Sequence, residues 1–176
     1  MTRYFDEELL DLNKKILEMS AEVEMTIGNS IKALRELNKD KAMAVIKEDD
    51  RIDQIDLAIE EKCLNLIALY QPAATDLRFI VMSLKIATDL ERIADLAVDI
   101  AQRVLEIADQ PLLKPLIDIP KLATLSQGMV RDAINSFVNK DTELAKSVIL
   151  RDSEADELRN MVQTELINDY ISKDPS

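Results

Sequence analysis

The chain has 176 residues, 34 of them acidic and 22 basic, giving a formal net charge of −12, with 47% apolar residues, two glycines and five prolines. Enough apolar surface for a core and so few helix breakers exclude global disorder and make an all-α protein the expectation. Strong acidity without a basic stripe argues against a nucleic-acid role, because phosphate backbones are held mainly by clustered Lys and Arg.

In chain order, Phe5, Leu9, Leu12, Ile16, Met19, Val23, Ile27, Leu34 and Leu37 follow alternating steps of four and three, with Ser30 as the small polar exception. This spacing predicts a long amphipathic first helix. Asn38, Lys39 and Asp40 interrupt it, and Asp40 is the expected N-cap of a second helix carrying Ala42, Val45, Ile52, Ile59, Cys63 and Leu66 to the vicinity of Tyr70. Pro72 forces a break. A third helix is expected from Thr75 or Asp76 to Ala108, with Leu77, Val81, Leu84, Ala87, Ala94, Val98 and Leu105 on its apolar side. Prolines at 111, 115 and 120 mark residues 109–120 as a linker.

Several chemistries lack their residues. With no histidine, a His-dependent triad, a His-ligated zinc and a ferritin-like di-iron site cannot be built. The lone Cys63 excludes an intrachain disulfide framework and reads as a buried helical residue. Asp6, Glu7, Glu8 and Asp11 stand where a signal peptide needs positive charge, and no apolar run reaches the roughly 18 residues of a membrane span. A cytoplasmic protein without direct membrane insertion is the expectation.

A shift of 103 residues superposes the chain on itself without a gap. Ile31 falls on Ile134, Leu34 on Phe137, Asn38 on Asp141, Ala42 on Ala145, Val45 on Val148, Asp49 on Asp152, Asp53 on Asp156 and Pro72 on Pro175. Phase-matched amphipathic helices align anyway, but identical aspartates and a shared helix-breaking proline do not arise that way. The expected organisation is two tandem three-helix bundles. Residues 1–108 form the first repeat, 109–120 a Pro-rich linker, and 121–176 a second repeat lacking its last helix.

Asp49 and Asp53 are four apart, as are Glu91, Asp95 and Asp99, so each set lies along one helix face. If helices two and three are antiparallel about a turn near residue 72, Asp49 faces Asp95 and Asp53 faces Glu91. Asp99 then faces Val45 as a further candidate ligand, and Glu24 on the first helix is a conceivable neighbour of Asp53. Gathered anions near a low-dielectric seam call for a cation, and an all-oxygen set suits Mg²⁺, Mn²⁺, Ca²⁺ or iron, with zinc also open. The alternative is that the acids point outward and pair with Arg51, Lys85 or Arg92.

The segments Gln71-Pro72-Ala73-Ala74-Thr75-Asp76-Leu77-Arg78, Asp89-Leu90-Glu91-Arg92-Ile93-Ala94-Asp95 and Val45 to Asp53 closely resemble those of the PhoU family, and the likeness covers nearly the whole chain. The resemblance implies negative regulation of bacterial phosphate uptake and of the phosphate-starvation response. It also implies a cytoplasmic adaptor standing between the ATP-binding subunit of the phosphate ABC transporter and a membrane sensor histidine kinase. The family's metal-binding E(D)xxxD motifs correspond to Asp49 with Asp53, and to Glu91 with Asp95 and Asp99; in the second repeat only Asp152 and Asp156 are present.

Two other functions compete with a non-enzymatic adaptor: a carboxylate-type metalloenzyme, and a metal-free structural bundle. No catalytic residue is assigned, since no nucleophile stands beside a base and no Gly-rich phosphate loop is present. No phosphate-binding set is evident either; Arg78 is the basic residue of interest, with pairing to Asp76 or to acids on the Asp49 side as its expected role. Two helices alone would expose Ile134, Phe137, Val148, Ile149, Val162 and Leu166 as an apolar stripe. The expectation is therefore either a natural product longer by about 35 to 45 residues or a homodimer through the fourth and fifth helices.

Overall fold

The structure, a computed structural model, describes residues 2–112 and 114–171, with side chains for 4–112 and 114–168. Five helices follow in order: α1 (Thr2–Glu36), α2 (Lys39–Tyr70), α3 (Ala74–Ile107), α4 (Asp118–Asn139) and α5 (Thr142–Glu165). A π-helical segment, Leu166–Ile171, continues α5. No strand occurs among the described residues. The first three helices all pack on one another, while α4 packs on α5 and on α1. Pro175, the repeat counterpart of Pro72, lies outside the described residues.

Heptad spacing explains the first bundle. On α1, Leu12, Met19 and Thr26 form one buried row and Ile16, Val23 and Ser30 another. On α3 the rows are Ile80, Ala87, Ala94, Ala101 and Ser83, Leu90, Ala97, Val104. Its four alanines thin the helix and let its neighbours approach closely. The buried hydroxyls of Ser30 and Ser83 are satisfied within their own helices, donating to the Ile27 and Phe79 carbonyls at 2.8 and 2.9 Å. On α2 one row is complete, Val45, Ile52, Ile59 and Leu66, whereas the other begins at Ala42 and ends at Cys63. Asp49 and Asp56 fill the two places between them.

The helix ends repeat as the sequence does. Leu37 and Lys140, one repeat apart, both adopt left-handed backbone, with φ of 45° and 55°. In each case the next amide closes the turn, Asn38 N–H to Ala33 O at 3.0 Å and Asp141 N–H to Ser136 O at 2.8 Å. Asn38 and Asp141 then cap the following helices. The Asn38 side chain accepts from Lys41 N at 2.9 Å, and that of Asp141 accepts from Glu143 N and Leu144 N at 3.1 and 2.9 Å.

Three expectations are corrected. The cap of α2 is Asn38, not Asp40, which sits in the helix's first turn. The linker is shorter than its prolines suggested, because α4 starts at Asp118 and takes Pro120 into its first turn, where a missing N–H costs nothing. The stripe expected to stand open is largely covered. Ile134 and Val162 are buried, Phe137, Val148 and Leu166 are half-buried, and only Ile149 is openly exposed, at 71%. Packing of α4 on α1 covers Ile134, and Phe137 stacks on Phe79 of α3 with centroids 4.8 Å apart and planes 7° from parallel.

Candidate functional site

The interrupted row of α2 positions the site. Asp49 and Asp56 occupy core-type positions and are half-buried, while Asp53 is exposed at the rim. Across the seam, Glu91 of α3 is half-buried beside the core row, and Asp95, one turn on, is exposed. Burial raises the Asp49 carboxyl above its ordinary value, and the charges of Asp53, Asp95 and Asp50 raise it further. Burial likewise raises Glu91, with Asp95, Asp53, Asp56 and Asp49 adding to the effect. Asp56 is raised by burial first, then by Glu60 and Asp53. Five carboxylates thus face one another as two rows across the α2–α3 seam.

Among the described residues no ion pair joins these five acids to a cation. Arg51 turns instead to α1, with Nη2 2.6 Å from Glu22 and 4.0 Å from Glu18. Among the described residues Arg92 pairs with the exposed Asp89 alone, at 3.9 Å, and Lys85 is exposed. Pairing with these three cations, the alternative drawn from sequence, is overturned. The acids are nevertheless not gathered into a cage: among the described residues no three His, Cys, Asp or Glu side chains converge closely enough to enclose an ion. In donor chemistry the seam still fits a hard cation, being all-oxygen, mutually repelling, half-buried at Asp49, Asp56 and Glu91 and exposed at Asp53 and Asp95, and without an ion-paired cation among the described residues.

Asp99 lies outside this group. It is exposed, and its charge acts on Arg103, which Glu106 holds through both carboxylate oxygens at 3.0 and 2.8 Å. Glu24 is corrected more firmly, since its carboxylate meets Arg131 of α4 at 3.5 Å rather than approaching Asp53. Asp152 and Asp156 of the second repeat are both exposed, and Asp156 pairs with Arg159 at 2.9 Å. Arg78 forms no ion pair among the described residues, with Asp76 or with the seam acids. Burial pushes the Cys63 thiol up to about 12, so it remains a protonated packing group. Sequence reasoning missed Asp56, although the seven-residue steps from Ala42 through Asp49 and Asp56 to Cys63 carry the signal.

The fold and the seam together define a tandem helical-repeat protein with an acidic face between the second and third helices of its first repeat. The PhoU domain profile matches residues 16–104 and, again, 119–176. The chain belongs to the PhoU family. A phosphate-specific transport system accessory protein PhoU homologue of Aquifex aeolicus is 40% identical over 168 residues, covering 96% of this chain and 76% of the relative. A second such homologue, from Thermotoga maritima, is 33% identical over 99% of this chain and 74% of its own length. Crystal structures of PhoU from Pseudomonas aeruginosa and of the phosphate transport system regulatory protein PhoU from Streptococcus pneumoniae superpose with TM-scores of 0.90 and 0.87. Their identities are 32% and 30%; each match covers 97% of this chain and 82% or 79% of the other.

Proposed function

We propose that this protein regulates phosphate transport by contact, as an adaptor between the ATP-binding subunit of a phosphate ABC transporter and a membrane sensor histidine kinase. Relatives named as accessory and regulatory proteins of phosphate transport support the role. No helix among the described residues is long and apolar enough to cross a membrane, which agrees with peripheral attachment through partners. The protein does no covalent chemistry in this reading: its one thiol is buried and protonated.

The observation carrying the second half of the proposal is the unpaired acid seam. Asp49, Asp53, Glu91 and Asp95 would hold a metal ion there, with Asp56 the adjoining half-buried donor; Mg²⁺, Mn²⁺, Ca²⁺, iron or zinc would draw the two rows together, neutralise the repulsion and fasten α2 to α3. The protein's part is to hold these carboxylates on two rigid helices, partly dry, so that a cation is favoured over protons at neutral pH.

Elemental analysis of purified wild type and of the Asp49→Asn/Glu91→Gln variant tests the metal. Metal content is expected to fall to background with helical circular dichroism retained, and unchanged stoichiometry rejects the assignment. Fractionation of cells lacking both the transporter and the kinase tests the adaptor role: the protein is expected in the soluble fraction, and persistent membrane attachment counts against it. Turnover of phosphate esters by the metal-loaded protein would favour the enzyme reading instead.

A further inference from the structure

A cavity of about 270 Å³ opens where the first turns of α3 meet the end of α4 and the side of α1, closer to the α2–α3 turn than the acid seam is. The stacked rings of Phe79 and Phe137 contribute to its wall. Two cations border it, Arg78 and Lys140, both exposed and neither in an ion pair among the described residues. In a chain of net charge −12 several other basic side chains are already engaged, Arg51, Lys62, Arg131 and Arg151 among them.

A second, independent feature sits in the same wall. The Oδ1 of Asn13 is buried and has no hydrogen-bond partner, and a buried acceptor left unmade is costly. Asp76 also borders the cavity. The α3 N-cap is Ala73, which offers no side-chain acceptor to the first-turn amides.

We propose that this cavity binds a small amphiphilic organic monoanion. Its flat apolar body lies against Phe79 and Phe137, its oxyanion meets Arg78 and Lys140, and an N–H or O–H of the same molecule donates toward Asn13 Oδ1 and Asp76. A bare inorganic oxyanion fits less well, since it leaves the aromatic wall unused, offers no donor to Asn13 and is repelled by Asp76.

Anilinonaphthalene sulfonate carries all three features and is the probe. The full chain, labelled with nitrogen-15, is titrated with it while the Asn13 side-chain amide and the Thr75 backbone amide are followed by NMR. Saturable shifts are expected at both, and Arg78→Gln/Lys140→Gln is expected to weaken binding about tenfold through lost charge-assisted contacts. The neutral analogue N-phenylnaphthylamine should bind wild type and that variant alike. Should the double variant lose helical signal, Asn13→Leu, which removes the acceptor for the bound N–H, must weaken the sulfonate. Three results overturn the proposal: shifts confined to α5 around Ile149, affinity unchanged in a folded variant, or the same shifts produced with equal affinity by inorganic phosphate.

Discussion

Gln127 and Glu24 are one repeat length apart in sequence and meet in space: the Gln127 Nε2 amide donates to the backbone oxygen of Glu24 at 2.6 Å. Around this contact the interface is reciprocal. Glu24 meets Arg131, the counterpart of Gly28, while Gly28 meets Gln127, the counterpart of Glu24. Repeat-equivalent positions thus meet reciprocally across the α1–α4 contact, the pairing that a local pseudo-two-fold relation produces.

Gly28 and Gln127 are expected to be energetically coupled. A Cβ at Gly28 would stand 2.9 Å from Gln127 Nε2, so Gly28→Ala displaces the amide and loses a hydrogen bond worth about 1 kcal/mol. The gain of replacing a mid-helix glycine by alanine, about 0.5–1 kcal/mol, offsets this loss. Gly28→Ala alone should be near neutral, but stabilising by about 1 kcal/mol in a Gln127→Ala background. Urea unfolding of the four proteins measures the coupling, and strict additivity would contradict it.

The paired caps should both be stabilising, though not equally. Asn38→Ala and Asp141→Ala each remove an acceptor for first-turn amides and are expected to cost about 1 kcal/mol. Asp141 accepts two amides at a helix N-terminus and should be the more sensitive, its loss appearing first as hydrogen exchange in the first turn of α5.

Much of this was legible in the chain. The four-and-three spacing from Phe5 to Leu37 and the break at Pro72 are local signals, and the first three helices follow them closely. The covering of Ile134 and Phe137 was not legible, because it depends on how α4 leans on α1 and on one aromatic pair with α3, neither of which periodicity specifies. At the seam, hairpin arithmetic supplied the facing of Asp49 and Asp95. It could not supply side-chain direction, which sends Arg51 to Glu22 and Glu24 to Arg131.

Acid should stabilise the metal-free seam. Asp49, Asp56 and Glu91 all hold their protons more tightly in the fold than in the open chain, where carboxyls titrate near pH 3.9 to 4.3. Between those values and the raised folded ones the native state binds more protons, so these groups lose stability as pH rises through that window and regain it as pH falls. In the presence of chelator, Asp49→Asn is expected to raise Tm at pH 7 by about 2–4 °C, the shift that about 1 kcal/mol gives a chain of this size. With metal bound the sign reverses, and the same substitution lowers Tm; calorimetry with and without added Mn²⁺ checks both arms.

Self-association is the remaining expectation from the second repeat. Ile149 and Leu150 are adjacent on α5 and exposed at 71% and 78%, with Met161 three turns on at 56%. Acidic side chains separate these positions, Asp152, Glu154 and Glu157 among them, so α5 presents apolar spots within a charged face rather than a continuous seam. A homodimer through this helix must bring those acids together and should therefore be weak at low salt, tightening as ionic strength screens them. Light scattering from low to high protein concentration at two salt levels is expected to show a monomer–dimer equilibrium that salt strengthens. Leu150→Glu should abolish it without altering helical signal, whereas salt-independent monomer at every concentration rejects an α5 interface.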